Sequence, residues 1–112
     1  MHEFSLAQGL MSQLLQLAEQ HGATKIITVR VTIGKLSGIV ADSFSFGFEA
    51  LITENNLTKD AMLEITETEP AHRCLDCRLL IDTPIRTCPK CYSSRLAHEG
   101  GDDLILNQVE ME

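Results

Sequence analysis

The chain has no Trp, one Tyr and four Phe among its 112 residues. A core must therefore be built mostly from Leu, Ile and Val. No run of about 18 apolar residues occurs, so no helix is expected to span a bilayer. Dense Lys/Arg runs are missing too, and the formal net charge is -7 from nine basic and sixteen acidic residues. Such a chain repels phosphate backbones, so nucleic acid is not expected as its main partner. There is no Gly-rich phosphate loop, nucleophile–base pair or oxyanion arrangement, and no catalysis is expected. Repeats and low-complexity tracts are also lacking. The opening Met1-His2-Glu3-Phe4-Ser5 has neither the basic start nor the apolar stretch of a secretion signal. The expectation is a mature chain beginning at Met1 in the cytoplasm, where thiols stay reduced.

Hydrophobic periodicity supplies the elements. Leu6, Leu10, Leu14 and Leu17 recur at helical steps, which predicts an amphipathic helix over 5–21. Ser5 with Gln8 fits a capping box, and Gly22 fits the residue just past the helix end. Its apolar face could bury on the chain's own sheet or swap with a second copy in a homodimer. Residues 25–33 predict a strand with Ile27, Val29, Val31 and Ile33 on one face, followed by a turn between Gly34 and Gly38. Residues 42–55 read two ways. Phe44, Phe46 and Phe48 alternate as in a strand, whereas Val40, Phe44, Phe48, Leu51 and Ile52 form a helical stripe. The helix is favoured because the stripe outlasts the Phe run; Asp42 or Ser43 would cap it and Asn55-Asn56 would end it. Residues 61–69 predict a second strand, ending at Pro70, and 103–111 a third, with Ile105, Val109 and Met111 on one side. Glu67 and Glu69 fall on one face of the second strand and Glu64 on the other, read as solvated.

The segment 71–100 differs in kind. It holds all four cysteines, two of three prolines and two of four histidines, and shows no long apolar period. Apolar burial alone would not order it, but a structural zinc contributes about 10–16 kcal/mol of apparent binding energy in peptides. The spacing is Cys74-Leu75-Asp76-Cys77, ten residues, then Cys88-Pro89-Lys90-Cys91. Two residues between thiolates let one turn aim both at a single ion, and two such knuckles complete a tetrahedral site. Thiolate softness favours Zn, with iron as the main rival and a redox dithiol as a third reading. Four protein ligands leave no open position for water, so the ion would be structural. The gap between knuckles suits a hairpin turning at Asp82-Thr83-Pro84. The expected architecture is α+β: a small three-stranded sheet with two helices, plus an inserted, zinc-ribbon-like four-cysteine zinc lobe. Domain boundaries are expected at 1–70 and 101–112 for the discontinuous α/β part and 71–100 for the lobe.

His2 sits beside the α-amine. It is read either as an exposed residue on a frayed end or as a chelator. In the second reading the Met1 amine, the deprotonated backbone nitrogens of His2 and Glu3, and the His2 ring surround one ion. That near-planar nitrogen set suits Ni(II) or Cu(II). His72 and His98 flank the cysteines as loop residues, either of which could replace a thiolate in a rearranged zinc site. His21 falls where a cation suits the helix dipole.

Met1-His2-Glu3-Phe4-Ser5-Leu6-Ala7-Gln8 resembles the start of the HypA/HybF hydrogenase-maturation proteins. The likeness continues in Gly34-Lys35-Leu36-Ser37-Gly38, Phe48-Glu49, Pro70, the two knuckles, and Asp103-Leu104 through Val109-Glu110, and so spans the chain. The resemblance implies a nickel-binding α/β domain and a zinc domain. Carried over by position, nickel (Ni2+, transported) goes to His2 with Glu3 and Met1, and zinc (Zn2+, structural) goes to Cys74, Cys77, Cys88 and Cys91. It also implies a HypB-type GTPase partner and delivery to the large subunit of a nickel-iron hydrogenase, with urease served in some organisms. Where the family often has Gly after each knuckle, Arg78 and Tyr92 stand here, which bears on turn geometry but removes no ligand. The alternative is a zinc-ribbon module that docks protein or nucleic acid, supported by Arg73, Arg78, Arg86, Lys90 and Arg95.

Overall fold

The computed structural model describes residues 2–83 and 85–112, the His2 side chain excepted. Helix α1 runs His2–Gln20, strand β1 Ile26–Gly34, helix α2 Ala41–Ile52, and β2 Met62–Thr68. Three short strands follow, β3 Ala71–Cys74, β4 Leu80–Ile81 and β5 Leu96–Glu99, and β6 Leu104–Met111 closes the order. β1 is the central strand of one sheet, order β2-β1-β6, parallel to β2 and antiparallel to β6. The parallel pair needs a crossover, and α2 lies in it. β3 is the centre of a second, antiparallel sheet, order β4-β3-β5. The α+β class with a four-cysteine lobe is thus the observed one.

One core joins Leu10 and Leu14 of α1, Val29, Val31 and Ile33 of β1, and Phe44 and Phe48 of α2. The α1 stripe is buried within its own chain. A separate small cluster holds Cys74, Ile81 and Cys88. The radius of gyration is 18.0 Å, against about 13 Å for a compact chain of this length. Two clusters along a long axis account for the difference. Among the described residues no helix is long and apolar enough to cross a membrane.

The ends of α1 differ from expectation on one side only. The helix starts at His2, so Ser5 lies inside it and forms no cap. Phe4 draws that first turn onto α2, where a Cβ added at Gly47 would stand 3.2 Å from the Phe4 ring. At the other end Gly22 has φ +64, the Gly22 amide donates to the Glu19 carbonyl, and the Ala23 amide donates to the Ala18 carbonyl. That is a Schellman close, with Gly where L residues strain. α2 is a helix as favoured, but it starts with Val40 at a position making no side-chain cap, so neither Asp42 nor Ser43 caps it. It ends at Ile52, before Asn55, and the buried Thr58 hydroxyl donates to the Ile52 carbonyl at 3.0 Å. The helical reading resolves the Phe run: Phe44 and Phe48 are buried and stack at 6.3 Å, whereas Phe46 is 77% exposed.

Two bulges revise the strand faces. Ile26 opposes Met111 and Thr28 opposes Glu110, so Ile27 is an extra residue in β1. The alternation reverses there: Ile26 is buried and Ile27 is 37% exposed. Arg30 opposes Gln108 and Val31 opposes Leu106, so Asn107 is the extra residue in β6. Hence Leu104, Leu106, Val109 and Met111 face the core, and Ile105 faces solvent. On the outer face Arg30 pairs with Glu64 at 2.5 Å and Glu110 at 2.6 Å, and Lys35 pairs with Glu69 at 2.6 Å.

The two sheets meet where β1 ends. A Cβ on Gly34 would lie 2.2 Å from the Gly101 carbonyl carbon and oxygen, and one on Gly101 would lie 2.9 Å from Pro70. The Gly34 amide donates to the Asp103 carbonyl at 2.8 Å, Leu36 to Gly101 at 2.7 Å, and Lys35 to Thr68 at 2.9 Å. The hairpin expected between the knuckles is not the one formed. The antiparallel pair is β3 with β4, closed across the first knuckle, and the described residues of 82–87 contain no strand. Pro84, the last residue of the expected turn, lies outside the described residues.

Candidate metal centre

β3 ends in Cys74, and the chain turns at once through Leu75-Asp76 to Cys77. The second knuckle repeats the backbone hydrogen bonds of the first. The Arg78 amide donates to the Cys74 carbonyl at 2.9 Å, as Tyr92 does to Cys88 at 2.9 Å. The Cys74 amide donates to the Leu79 carbonyl and the Cys88 amide to that of Ser93. Amides also point at sulfur: Cys77 to Cys74 Sγ at 3.5 Å, and Lys90 and Cys91 to Cys88 Sγ at 3.4 and 3.5 Å. Arg78 and Tyr92 hold φ of 70 and 63. These are the positions at which a glycine would ease the turn, so the close is made here against the ordinary steric preference of L residues. Asp76 braces the lobe by accepting from Arg95 at 2.7 Å and from the Ser93 hydroxyl.

The four sulfurs lie within 4.8 Å of one another, with Cys74–Cys91 and Cys77–Cys88 at 3.5 Å. A tetrahedral zinc with bonds of 2.3 Å sets sulfur–sulfur edges of about 3.8 Å, so the donor set fits such an ion. Its electrostatics point the same way. The Cys77 amide, helped by that of Asp76 and by neighbouring sulfurs, brings the Cys74 thiol down to about 6 against burial. Cys88 is lowered, chiefly by the Cys91 amide. Cys91 is pushed up to about 12, because burial and the three other sulfurs outweigh the Ser93 amide that favours its thiolate. Cys77 is raised by burial and by the Cys88 and Cys74 sulfurs, against the Leu79 amide and the Cys91 sulfur. Without a cation, ionisation of one pair thus opposes ionisation of the other. A divalent ion at the centre removes that conflict.

At the other candidate site, Glu3 and Phe4 of α1 line an open groove with Asp42, Ser43, Phe46, Gly47 and Ala50 of α2. Met1 and the His2 side chain lie outside the described residues.

Comparison with known proteins decides the family. The family described as "Hydrogenase/urease nickel incorporation, metallochaperone, hypA" matches residues 1–111. The chain belongs to the HypA family. Its relatives include "Hydrogenase maturation factor HypA" of Azotobacter vinelandii, 35% identical over the whole of both chains. The protein of the same name from Alkalilimnicola ehrlichii is 32% identical, again over the whole of both. Two solved structures are similar. "Solution structure of HypA protein" has TM-score 0.80 and 30% identity, covering 100% of this chain and 97% of that one. "Solution structure of the Ni metallochaperone HypA from Helicobacter pylori" has TM-score 0.70 and 28% identity, covering 97% and 96%. HypA proteins are nickel-incorporation metallochaperones of hydrogenase maturation, not enzymes.

Within this HypA-family chain the expected cysteines converge into one donor group. His72 and His98, read as separate loop residues, instead stand opposite each other on β3 and β5. The strand β5 was missed because Leu96-Ala97-His98-Glu99 has no apolar alternation to reveal it. Of the five cations in the lobe, Arg73 is tied to Glu99 at 2.8 and 3.1 Å and Arg95 to Asp76.

Proposed function

We propose that this protein binds one Ni(II) at its N-terminus and passes it on during maturation of a nickel-iron hydrogenase, while a structural zinc holds the lobe at 71–100. The observation that carries the reading is that His2 and Glu3 open helix α1. The first amides of a helix have no carbonyl acceptor within it. Deprotonating the His2 and Glu3 nitrogens therefore sacrifices no helical hydrogen bond. Two amide anions also balance the charge of Ni(II), so the positive end of the helix dipole opposes the filled site little. The Met1 amine and the His2 ring complete a four-nitrogen plane, with the Glu3 carboxylate alongside. Such a plane suits nickel and needs a free amine on Met1.

Zinc is assigned to Cys74, Cys77, Cys88 and Cys91, where it supplies only structural energy and leaves no open coordination position. The α/β part, 1–70 and 101–112, would carry nickel, and the lobe would supply a rigid second surface. The recipient is the hydrogenase large subunit, urease being a further one, with a HypB-type GTPase as cytoplasmic partner. Release requires that the nickel site be open on one side; ligand exchange to a thiolate or carboxylate site then follows.

The test uses zinc-loaded chain beginning at Met1. Elemental analysis should find one zinc, and calorimetry should find one tight nickel that His2→Ala removes with the fold unchanged. Retention of that tight nickel by His2→Ala would sink the assignment.

A further inference from the structure

His72 and His98 occupy directly opposed positions of the lobe's central strand and its neighbour. Their ring centroids lie 5.0 Å apart, and the ring planes are inclined at 52°. His72 Nδ1 is buried and has no hydrogen-bond partner among the described residues. A buried nitrogen left unpaired is costly, and such groups call for an explanation. The stretch around it gives none: the register partner on the other side is Ile81, an apolar residue.

The separation of the rings has a chemical meaning. A metal–imidazole bond of about 2.0–2.1 Å places the metal roughly 3.2 Å from the ring centroid, so two cis imidazoles on one ion have centroids about 4.5–5.2 Å apart. The observed 5.0 Å falls within that range. The pair is also separate from the sulfur group. Along β3, His72 stands two residues, about 7 Å, before Cys74, and the convergent donor group contains only the four cysteines.

We propose that His72 and His98 form a second metal site, a two-imidazole chelate for a late first-row divalent cation, completed by water. Imidazole nitrogen suits nickel, copper and zinc, and affinity should rise from nickel to copper. The site is weaker than a four-donor set because only two protein atoms hold the ion. It does not depend on the N-terminal nickel reading.

Nickel itself separates the two. In a planar four-nitrogen set Ni(II) is diamagnetic, whereas in a water-completed two-imidazole site it is paramagnetic and broadens nearby resonances. The experiment follows the His72 and His98 ring signals of the zinc-loaded full chain during a nickel(II) titration, in wild type and in His2→Ala. The expected result is that both rings broaden together, with one dissociation constant, in both proteins. His98→Gln, at an exposed position, should weaken the response of His72 about tenfold or more through loss of the chelate. Broadening of His72 that is unchanged in His98→Gln, different midpoints for the two rings, or no response of either would overturn the proposal. Loss of zinc in His98→Gln would also overturn it, by showing that His98 acts on the cysteine group instead.

Discussion

Gly34→Ala is the sharpest perturbation of the junction. The added Cβ would stand 2.2 Å from the Gly101 carbonyl carbon and oxygen, where 3.4 Å is the lower edge of ordinary contact. The obstructing atoms are backbone, so no rotamer relieves them, and the strands must part by roughly 1.2 Å (the difference between those two distances). Overpacking costs about 1–3 kcal/mol. The same movement stretches Gly34 to Asp103 and Leu36 to Gly101, hydrogen bonds of 2.8 and 2.7 Å, each contributing about 1 kcal/mol. The loss should total about 3–5 kcal/mol, from a stability of about 5–15 kcal/mol for a domain. With an m-value of about 1.5 kcal/mol/M, the urea midpoint should fall by about 2–3 M. Gly9→Ala is the matched control. It makes the same chemical change in α1 with nothing within 4 Å of the new atom, and should raise stability by about 0.5–1 kcal/mol. Urea unfolding followed by circular dichroism on the zinc-loaded chain measures both. A midpoint for Gly34→Ala within experimental error of wild type would refute the reasoning that the contact is rigid.

The knuckles and the thiols give two more. Arg78→Gly and Tyr92→Gly each remove left-handed strain of about 1–2 kcal/mol and add about 0.5–1 kcal/mol of unfolded-state entropy. Each should gain about 0.5–1 kcal/mol in thermal unfolding, and a loss would mean that the exposed side chains themselves hold the lobe. Cys74, lowered in the fold to about 6, contributes stability that is fully present above its unfolded value near 9 and lost as pH falls through 6. Zinc binding needs the same thiolates. Bound zinc holds these thiolates deprotonated to lower pH than the metal-free fold does, so acidification to below pH 6 should release zinc to a chromophoric chelator while the helical signal persists, since the core of α1, β1 and α2 is apolar; loss of both at one pH would count against two separately held cores.

The sequence made legible those features that repeat or that carry their own geometry. The α1 stripe ran long enough to identify a helix, and the two knuckles announced a convergent donor group by spacing alone. The turns at Arg78 and Tyr92 stood out only through the family likeness, in which Gly often follows each knuckle; their left-handed backbone is a finding of the structure. What stayed hidden was non-local. Ile27 and Ile105 alternate correctly with their neighbours, but a bulge in each strand reverses the parity, and only pairing between β1 and β6 reveals it. Ser5 and Gln8 have the spacing of a capping box, but Phe4 packs against α2 and the helix continues back to His2. The β3–β5 pairing joins segments more than twenty residues apart with no apolar period in either, so the opposed histidines could not be read from the chain.

Pro70, which precedes β3, and Gly101, which follows β5, lie against each other. The segments leading into β3 and out of β5 are both held on the Gly34 end of β1, so any tilt of the second sheet must load the strand at the centre of the main one. Since its two ends meet, the lobe could also be lengthened, shortened or exchanged without re-threading the strands that hold the body together.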